Sequence, residues 1–360
     1  MKVNRYALSD LATIKYGKNQ KKVLSESGNI PIYGTGGLMG FATTALYDKP
    51  SVLIGRKGTI GKVKYVEHPF WTVDTLFYTI VNTDIVLPKY LYYVMSLIDL
   101  NNYNEGTTIP SLRTETLNRL EFDIPSLEEQ ETILSCLNPI DEKIALNNAI
   151  NNNLEQQAMA LFKSWFIDFE PFSNRKPSEW SVSTLGNVSI IGAGGDKPQN
   201  VSPIKTDLYE YPIYSNGLSN EGLYGFTDKP KISEESVTVS ARGTIGFVCL
   251  RHIPYVPIVR LVTLIPKTEI VSAKYLYLWL KQLHITGTGT TQQQLTVPDF
   301  QKTEILVPSQ KIVTLFTATV EPIFEKIWAN QNENGKLSSL RDTLLPKLMS
   351  GELDVSDIEI

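Results

Sequence analysis

A chain of 360 residues is too long for one ordinary core and calls for two or more domains. Its composition, 42% hydrophobic and 20% charged, is that of a globular protein, and 34 basic against 38 acidic side chains give a formal net charge of −4. That balance argues against a lone high-affinity polyanion binder unless the basic residues cluster, and two cysteines outside any CxxC pair argue against a disulfide scaffold or a zinc site.

From the N-terminus, MKVNRYALSDLATIKYG contains no apolar signal core, and no run of about 18 apolar residues follows. A cytoplasmic chain without a membrane span is expected. SVLIG (51–55), KVKYV (62–66) and TLFYTIV (75–81) predict strands between Gly, Pro and Asp turns, and PKYLYYVMSL (88–97) predicts a helix. A long helical stretch then opens after Pro125, where Ser126 and Glu129 have capping-box spacing. The same texture returns: SVTVS (236–240) and VRLVTLI (259–265) as strands, AKYLYLWLKQL (273–283) as a helix, and a second long helix after Ser309, with Ile312 where the box would want Glu.

The return is an internal duplication. PIY at 31–33 recurs at 212–214, KGTIGKV at 57–63 as RGTIGFV at 242–248, KYLYYV at 89–94 as KYLYLW at 274–279, and PIDEKI at 139–144 as PIFEKI at 322–327. Offsets of 181 to 185 residues, drifting at loops, define two half-chains of roughly 1–176 and 177–360.

Steps of four and three along the long helices give one seam of Ile133, Leu137, Ile140, Ile144, Asn147, Asn151, Leu154, Ala158, Leu161 and Trp165. The other runs Phe316, Val320, Ile323, Ile327, Asn330, Asn334, Leu337, Arg341, Leu344 and Leu348. Antiparallel pairing sets Asn147 against Asn334 and Asn151 against Asn330 as a polar layer, with only Ile140 against Arg341 mixed. An all-solvent role for these asparagines, with the register one turn out, is the plainer alternative. Pro139 and Pro322 lie inside the seams and predict kinks or fresh helix starts.

No catalytic constellation is legible. GTGGLMG (34–40) has dinucleotide-like glycine spacing, but its counterpart SNGLSNEG lacks it, so a plain turn is expected. His68, His252 and His284 are not at metal-ligand spacing, no metal site is predicted, and DEK (141–143) reads as a solvated helix face.

Chemistry suited to polynucleotides sits at repeated places. GRKGTIGKVK (55–64) groups Arg56, Lys57, Thr59 and Lys62 with Lys64 around two glycines, and SARGTIG repeats the turn with Arg242 and Thr244. GTTIPSLR (106–113) supplies Thr107, Thr108, Ser111 and Arg113. Its partner GTTQQQ (289–294) supplies Thr290, Thr291, Gln292, Gln293 and Gln294. A shared GTT frame with different following letters suits two modules reading different sequences, since glutamine pairs bidentately with adenine whereas Ile-Pro-Ser relies on apolar and hydroxyl contacts. For any one of these residues, a turn or a drifted surface loop is the competing meaning.

LNPIDEKIALNNAINNNLEQQAMALFKSWFIDFEPF (137–172) and LLPKLMSGEL (344–353), with GTIG twice and PSLEEQ, resemble the specificity (S) subunit of type I restriction-modification enzymes over nearly the whole chain. VPSQKIVTLF departs from the pattern by losing its Glu-Glu-Gln. The resemblance implies an α+β fold: two α/β target recognition domains joined by two long antiparallel coiled-coil helices about an internal pseudo-two-fold. It divides the chain into a first recognition domain (1–124), a central helical spacer (125–170), a second recognition domain (171–307), a C-terminal helical spacer (308–350) and a tail (351–360). It implies a non-catalytic subunit that reads an asymmetric bipartite site on double-stranded DNA and docks two methyltransferase (M) and two restriction (R) subunits. S-adenosylmethionine, ATP and Mg would belong to those partners. A methylation-only or phage-defence specificity subunit would look the same. A fused pseudo-dimeric enzyme would need a polar cluster that is not seen, and a bare coiled-coil scaffold would have no use for RKGTIGK.

Overall fold

Residues 2–287 and 294–353 are described by a computed structural model, and they divide into two compact units. The first contains the chain to Asn147 together with Asn332 onward; the second contains Asn148–Gln331.

In the first unit the chain runs β1 (Val3–Ala7), α1 (Leu8–Leu11), β2 (Ala12–Tyr16), β3 (Ile30–Gly34), β4 (Gly37–Ala42), β5 (Ser51–Gly55), β6 (Val63–Val66), β7 (Trp71–Thr72), β8 (Leu76–Val81), α2 (Pro88–Ser96), α3 (Thr114–Asn118) and β9 (Glu121–Pro125). Strands β2-β8-β5-β6 form one antiparallel sheet, β4-β3-β7 form a second with β3 and β7 parallel, and β1 pairs with β9 so that the module closes where its chain began. All five residues of β5 are buried, as expected of a continuous apolar run at the centre of a sheet. Against β5 and β6 lies α2, whose Tyr90, Leu91 and Tyr93 are enclosed in the core. GTGGLMG is a hairpin turn between β3 and β4, as its lone glycine spacing suggested.

The second unit repeats the order: β10 (Ser181–Thr184), α5 (Leu185–Val188), β11 (Ser189–Ala193), β12 (Tyr211–Tyr214), β13 (Leu223–Thr227), β14 (Ser236–Val239), β15 (Val248–Arg251), β16 (Val256–Pro257), β17 (Val262–Pro266), α6 (Ala273–Gln282), α7 (Val297–Phe300) and β18 (Glu304–Val307). Its sheets are β11-β17-β14-β15 and β13-β12-β16, closed by β10 with β18. Strand for strand this is the first topology. One strand is shorter than its sequence suggests: VRLVTLI is extended only from Val262, because Val259 and Arg260 adopt left-handed backbone with φ of 51° and 59°.

Two helices of 40 residues, α4 (Leu127–Phe166) and α8 (Gln310–Met349), contribute to both units, each about 60 Å long at 1.5 Å per residue. Ser126 starts α4 with the expected box: its backbone N–H and hydroxyl donate to the Glu129 carboxylate, and the Glu129 N–H donates back to the Ser126 hydroxyl. Those donors hold the Glu129 carboxyl below its usual range. At α8 the Ser309 carbonyl accepts from Ile312 and Val313.

Within the first unit, Asn147 Nδ2 donates to Asn334 Oδ1 at 2.9 Å and to Glu333 at 2.8 Å, and Ile133 and Leu137 share a core with Leu344, Leu345 and Leu348. Within the second, Asn330 Nδ2 donates to Asn151 Oδ1 at 2.8 Å, and Trp165 meets Phe316 at a ring separation of 5.5 Å. In each unit the partner number falls as the residue number rises, so the pairing is antiparallel in the expected register.

Two expectations need correction. Pro139 and Pro322 start no fresh helix: both lie inside unbroken helices, since a packed helix can lose one backbone hydrogen bond and continue. Asp141 is not on a solvated face: it pairs with Arg341 at 3.1 Å and Lys89 at 3.5 Å and accepts from Tyr93 at 2.5 Å, which resolves the mixed Ile140–Arg341 layer. Lys89 and its repeat Lys274 each tie the module helix to a long helix, Lys274 through Glu321 at 3.0 Å.

Asn330→Leu should lower stability by roughly 1–3 kcal/mol by leaving the Asn151 amide without its partner, whereas the double change with Asn151→Leu should regain most of that loss; urea denaturation of both variants measures it. His252, stacked on Trp328 at 4.1 Å, is depressed to about 4 by burial and then by Lys274 and Arg251. Its unfolded form takes up a proton first, so stability should be full above pH 6.5 and fall as pH drops towards 4. His252→Phe should remove that component of the pH profile of the denaturation midpoint.

Candidate nucleic-acid interface

The two motifs singled out by repetition, GTIG and GTT, are far apart in sequence but joined in space. In the first unit, β5 runs into the GRKGTIG loop, and Gly55 is required there because a Cβ would lie 2.1 Å from the Thr59 carbonyl. Lys57 forms a bridge with Ser111, Gly58 N–H donates to the Pro110 carbonyl at 2.9 Å, and Leu112 N–H donates to the Arg56 carbonyl at 2.9 Å. Asn104 clasps the GTT loop: its Oδ1 accepts from Gly106 and Ser111, both at 2.9 Å, and its Nδ2 donates to the Gly106 carbonyl. Thr107, Thr108 and Ile109 stand exposed at the tip, with Lys57, Thr59 and Lys62 exposed on the neighbouring loop.

Two other predicted cations are already engaged. Arg56 Nη1 donates to the Asp74 carbonyl at 2.8 Å, and its guanidinium covers the Tyr16 ring at 5.0 Å. Arg113 pairs with Glu105 at 3.2 Å. Lys64 lies 3.7 Å over the Tyr33 ring, and burial lowers its pKa from the usual lysine value.

The second unit ties its GTIG loop to Gln294 and Leu295, which follow the GTT letters, at the equivalent positions. Leu295 N–H donates to the Ala241 carbonyl at 3.0 Å, the counterpart of Leu112 to Arg56, and Arg242 donates from Nε and Nη2 to Gln294 Oε1 at 3.2 and 2.9 Å where Lys57 bridges Ser111. Gly58 and Gly243, equivalent residues of the two GTIG turns, hold φ of 87° and 70°, a backbone that side chains disfavour. Thr244 differs from Thr59: its hydroxyl is buried and has no hydrogen-bond partner among the described residues, so of the two threonines only Thr59 faces solvent. Thr290, Thr291, Gln292 and Gln293 lie outside the described residues.

Sequence reasoning missed two further features. Tyr33 and Tyr214, equivalent in β3 and β12, each carry a cation over the ring, Lys64 in one unit and Arg251 at 3.6 Å in the other; the shared PIY motif was the available signal. The second is the turn that follows β7 and β16. Val73 N–H donates to the Tyr33 carbonyl and Leu76 N–H to Val73; likewise Ile258 donates to Tyr214 and Leu261 to Ile258. Between them, the carbonyls of Asp74 and Thr75 hold Arg56 and Lys57, whereas Val259 and Arg260 flip into the left-handed region. Such a conformation costs an L-residue roughly 1–2 kcal/mol, and more when it is β-branched. No sequence signal marks it, because valine there reads as strand. Among the described residues no group of three His, Cys, Asp or Glu side chains is placed to hold a metal ion, and no helix is long and apolar enough to cross a membrane.

One α+β frame used twice, each time with the GTIG loop bonded to the residue after the GTT stretch, defines a duplicated module that carries different letters on a constant support. The chain belongs to the family of type I restriction modification DNA specificity domains, whose family model matches residues 2–156 and again 177–332. It is 28% identical over 355 residues to the type I restriction enzyme MjaIX specificity subunit of Methanocaldococcus jannaschii, covering 87% of this chain and 80% of that one. It is also 28% identical to the putative type I specificity subunit S.MpnORF507P of Mycoplasma pneumoniae, covering 92% of each. The fold is similar to that of the S subunit of a type I restriction-modification system from M. genitalium, with a TM-score of 0.54 and 18% identity over 97% of this chain and 96% of that one.

Asn104→Ala should remove three hydrogen bonds from the GTT loop and speed amide exchange at Gly106 and Ser111 by at least about tenfold, taking roughly 1 kcal/mol or more per bond lost. Exchange measured at those two amides, against unchanged values in β5, tests the clasp.

Proposed function

We propose that this chain is the sequence-reading subunit of a type I restriction-modification complex, in which each unit reads one half of an asymmetric, bipartite site on double-stranded DNA. The observation that carries this is the loop pair found in both units: a main-chain bond ties the GTIG loop to the residue after the GTT stretch, Leu112 to Arg56 and Leu295 to Ala241, while the letters of that stretch differ. A constant base with variable tips is what two readers of different sequences need. Lys57, Thr59, Lys62, Thr107, Thr108 and Ser111 serve the first half-site, with Arg56 and Arg113 free to exchange their present partners for phosphate. Arg242 and Gln294 serve the second with Thr290, Thr291, Gln292 and Gln293.

In this reading residues 1–124 and 171–307 are the recognition domains, 125–170 and 308–350 are the spacers, and 351–360 is a tail. The paired helices set the gap between half-sites and dock two methyltransferase and two restriction subunits. The chain itself performs no bond-making step. Adenine methylation with S-adenosylmethionine and ATP- and Mg-dependent cleavage reside on the partners, and the complex works in the cytoplasm. The acidic balance of the isolated chain is then complemented by partner subunits that complete the DNA clamp.

Selection from a randomised duplex pool, with a cognate methyltransferase subunit present, should enrich two short motifs at one fixed spacing; recovery of no motif would reject the reading. Exchanging residues 1–124 for those of a related chain should change one motif only. Adding one heptad to each long helix should alter the gap and leave the letters intact. Lys57→Ala with Lys62→Ala should weaken binding to all sequences alike and lower the slope of log affinity against log salt by about 2.

A further inference from the structure

We propose that the turn at Val259 and Arg260 is a base-reading tip of the second unit, with Arg260 reading a guanine in the major groove. This rests on the reading of the chain as a DNA specificity subunit and names a residue within it. The turn is flanked by Ile258 and Leu261, which are 1% and 2% exposed, so its two middle residues have nowhere to go but outward. Val259 is 52% exposed, and the Arg260 guanidinium is exposed and meets no acceptor among the described residues.

The tip is held rather than loose. Val259 N–H donates to the Gly195 carbonyl and Arg260 N–H to the Gly194 carbonyl, both at 2.9 Å. Asn216 donates from Nδ2 to the Val259 carbonyl at 2.7 Å and accepts on Oδ1 from Ala241 N–H at 2.7 Å, which locks the turn to the loop carrying Arg242. Two consecutive left-handed residues kept by three hydrogen bonds are strain retained at an exposed place, the pattern of a positioned contact residue.

The first unit shows what is exchanged. There the cation is Arg56 on the GTIG loop, drawn onto Asp74 of the equivalent turn. In the second unit the Arg56 position is Ala241, and the arginine stands on the turn. The positive group has moved one loop over, where its fork can address the O6 and N7 edge of a guanine. Val259 is a positioning residue that sets the angle of the fork.

The test uses the full chain assembled with its methyltransferase subunit on a randomised duplex pool. Unmodified protein should give two motifs; if it gives none, the parent reading fails and not this inference. With Arg260→Ala, one guanine position of one motif should lose at least about tenfold in discrimination while the other motif stays unchanged, which also shows that the variant is folded. Arg260→Lys should lose the same preference for want of a fork, and Val259→Gly should weaken binding with the preferred base retained. Both motifs intact in Arg260→Ala, or an equal weakening for every sequence, would overturn the assignment.

Discussion

Paired amides across the long helices are the constraint on which the other contacts depend. Asn147 with Asn334 in one unit, and Asn151 with Asn330 in the other, are satisfied in a single register. A slip by one turn would leave one asparagine of each helix against an aliphatic side chain, and a slip by one heptad both, at roughly 1–3 kcal/mol for each polar group left unpaired. Leucine at these places would pack better and would tolerate the slip, so the asparagines give up stability for alignment. Once the register holds, Asp141 reaches Arg341 and Phe316 enters the aromatic cluster of Phe162, Phe166 and Tyr275.

The same separation of support from message governs the loops. Their bases are fixed by main-chain bonds, Gly58 to Pro110, Leu112 to Arg56 and Leu295 to Ala241, which any side chains would permit. In the first unit the tip residues Thr107, Thr108 and Ile109 are exposed and have no part in the core. A substitution at Ile109 or Arg260 therefore changes what is displayed at small cost to folding, whereas one at Gly55 or Leu112 disturbs the frame. Divergence of the tips after duplication needed no redesign of the sheets beneath.

Periodicity is why the helical register was legible: a seam of fixed spacing carries its polar break at a definite step, and two such breaks align in one way. The strands of the sheets were legible for a similar reason, as short apolar runs between turn residues. Single-residue geometry leaves no period. Val259 reads as strand by type and sits in a left-handed turn to which two neighbouring loops bond; Thr244 reads as a phosphate ligand and has its hydroxyl buried; Asp141 reads as solvated and is the centre of an ion cluster. Val259 and Asp141 depend on residues more than twenty positions away, which local pattern cannot register.

Charge gives the clearest case of composition misleading. A net −4 suggests indifference to polyanions only if every cation counts equally, and here they do not. Lys274, Arg251 and Arg341 are consumed by Glu235, Glu221 and Asp141, internal pairs that assemble the frame and present little field outside. Their acidic partners are only partly covered, Asp141 most and Glu221 least. The field that an approaching duplex meets is set instead by exposed side chains such as Lys57, Lys62, Arg242 and Arg260, all on loop tips with the hydroxyl and amide groups beside them. Those pairs are neutral and leave the total at −4, so what a partner meets is decided by where the exposed cations stand, and Lys57, Lys62 and Arg242 stand on the loops the duplication preserved.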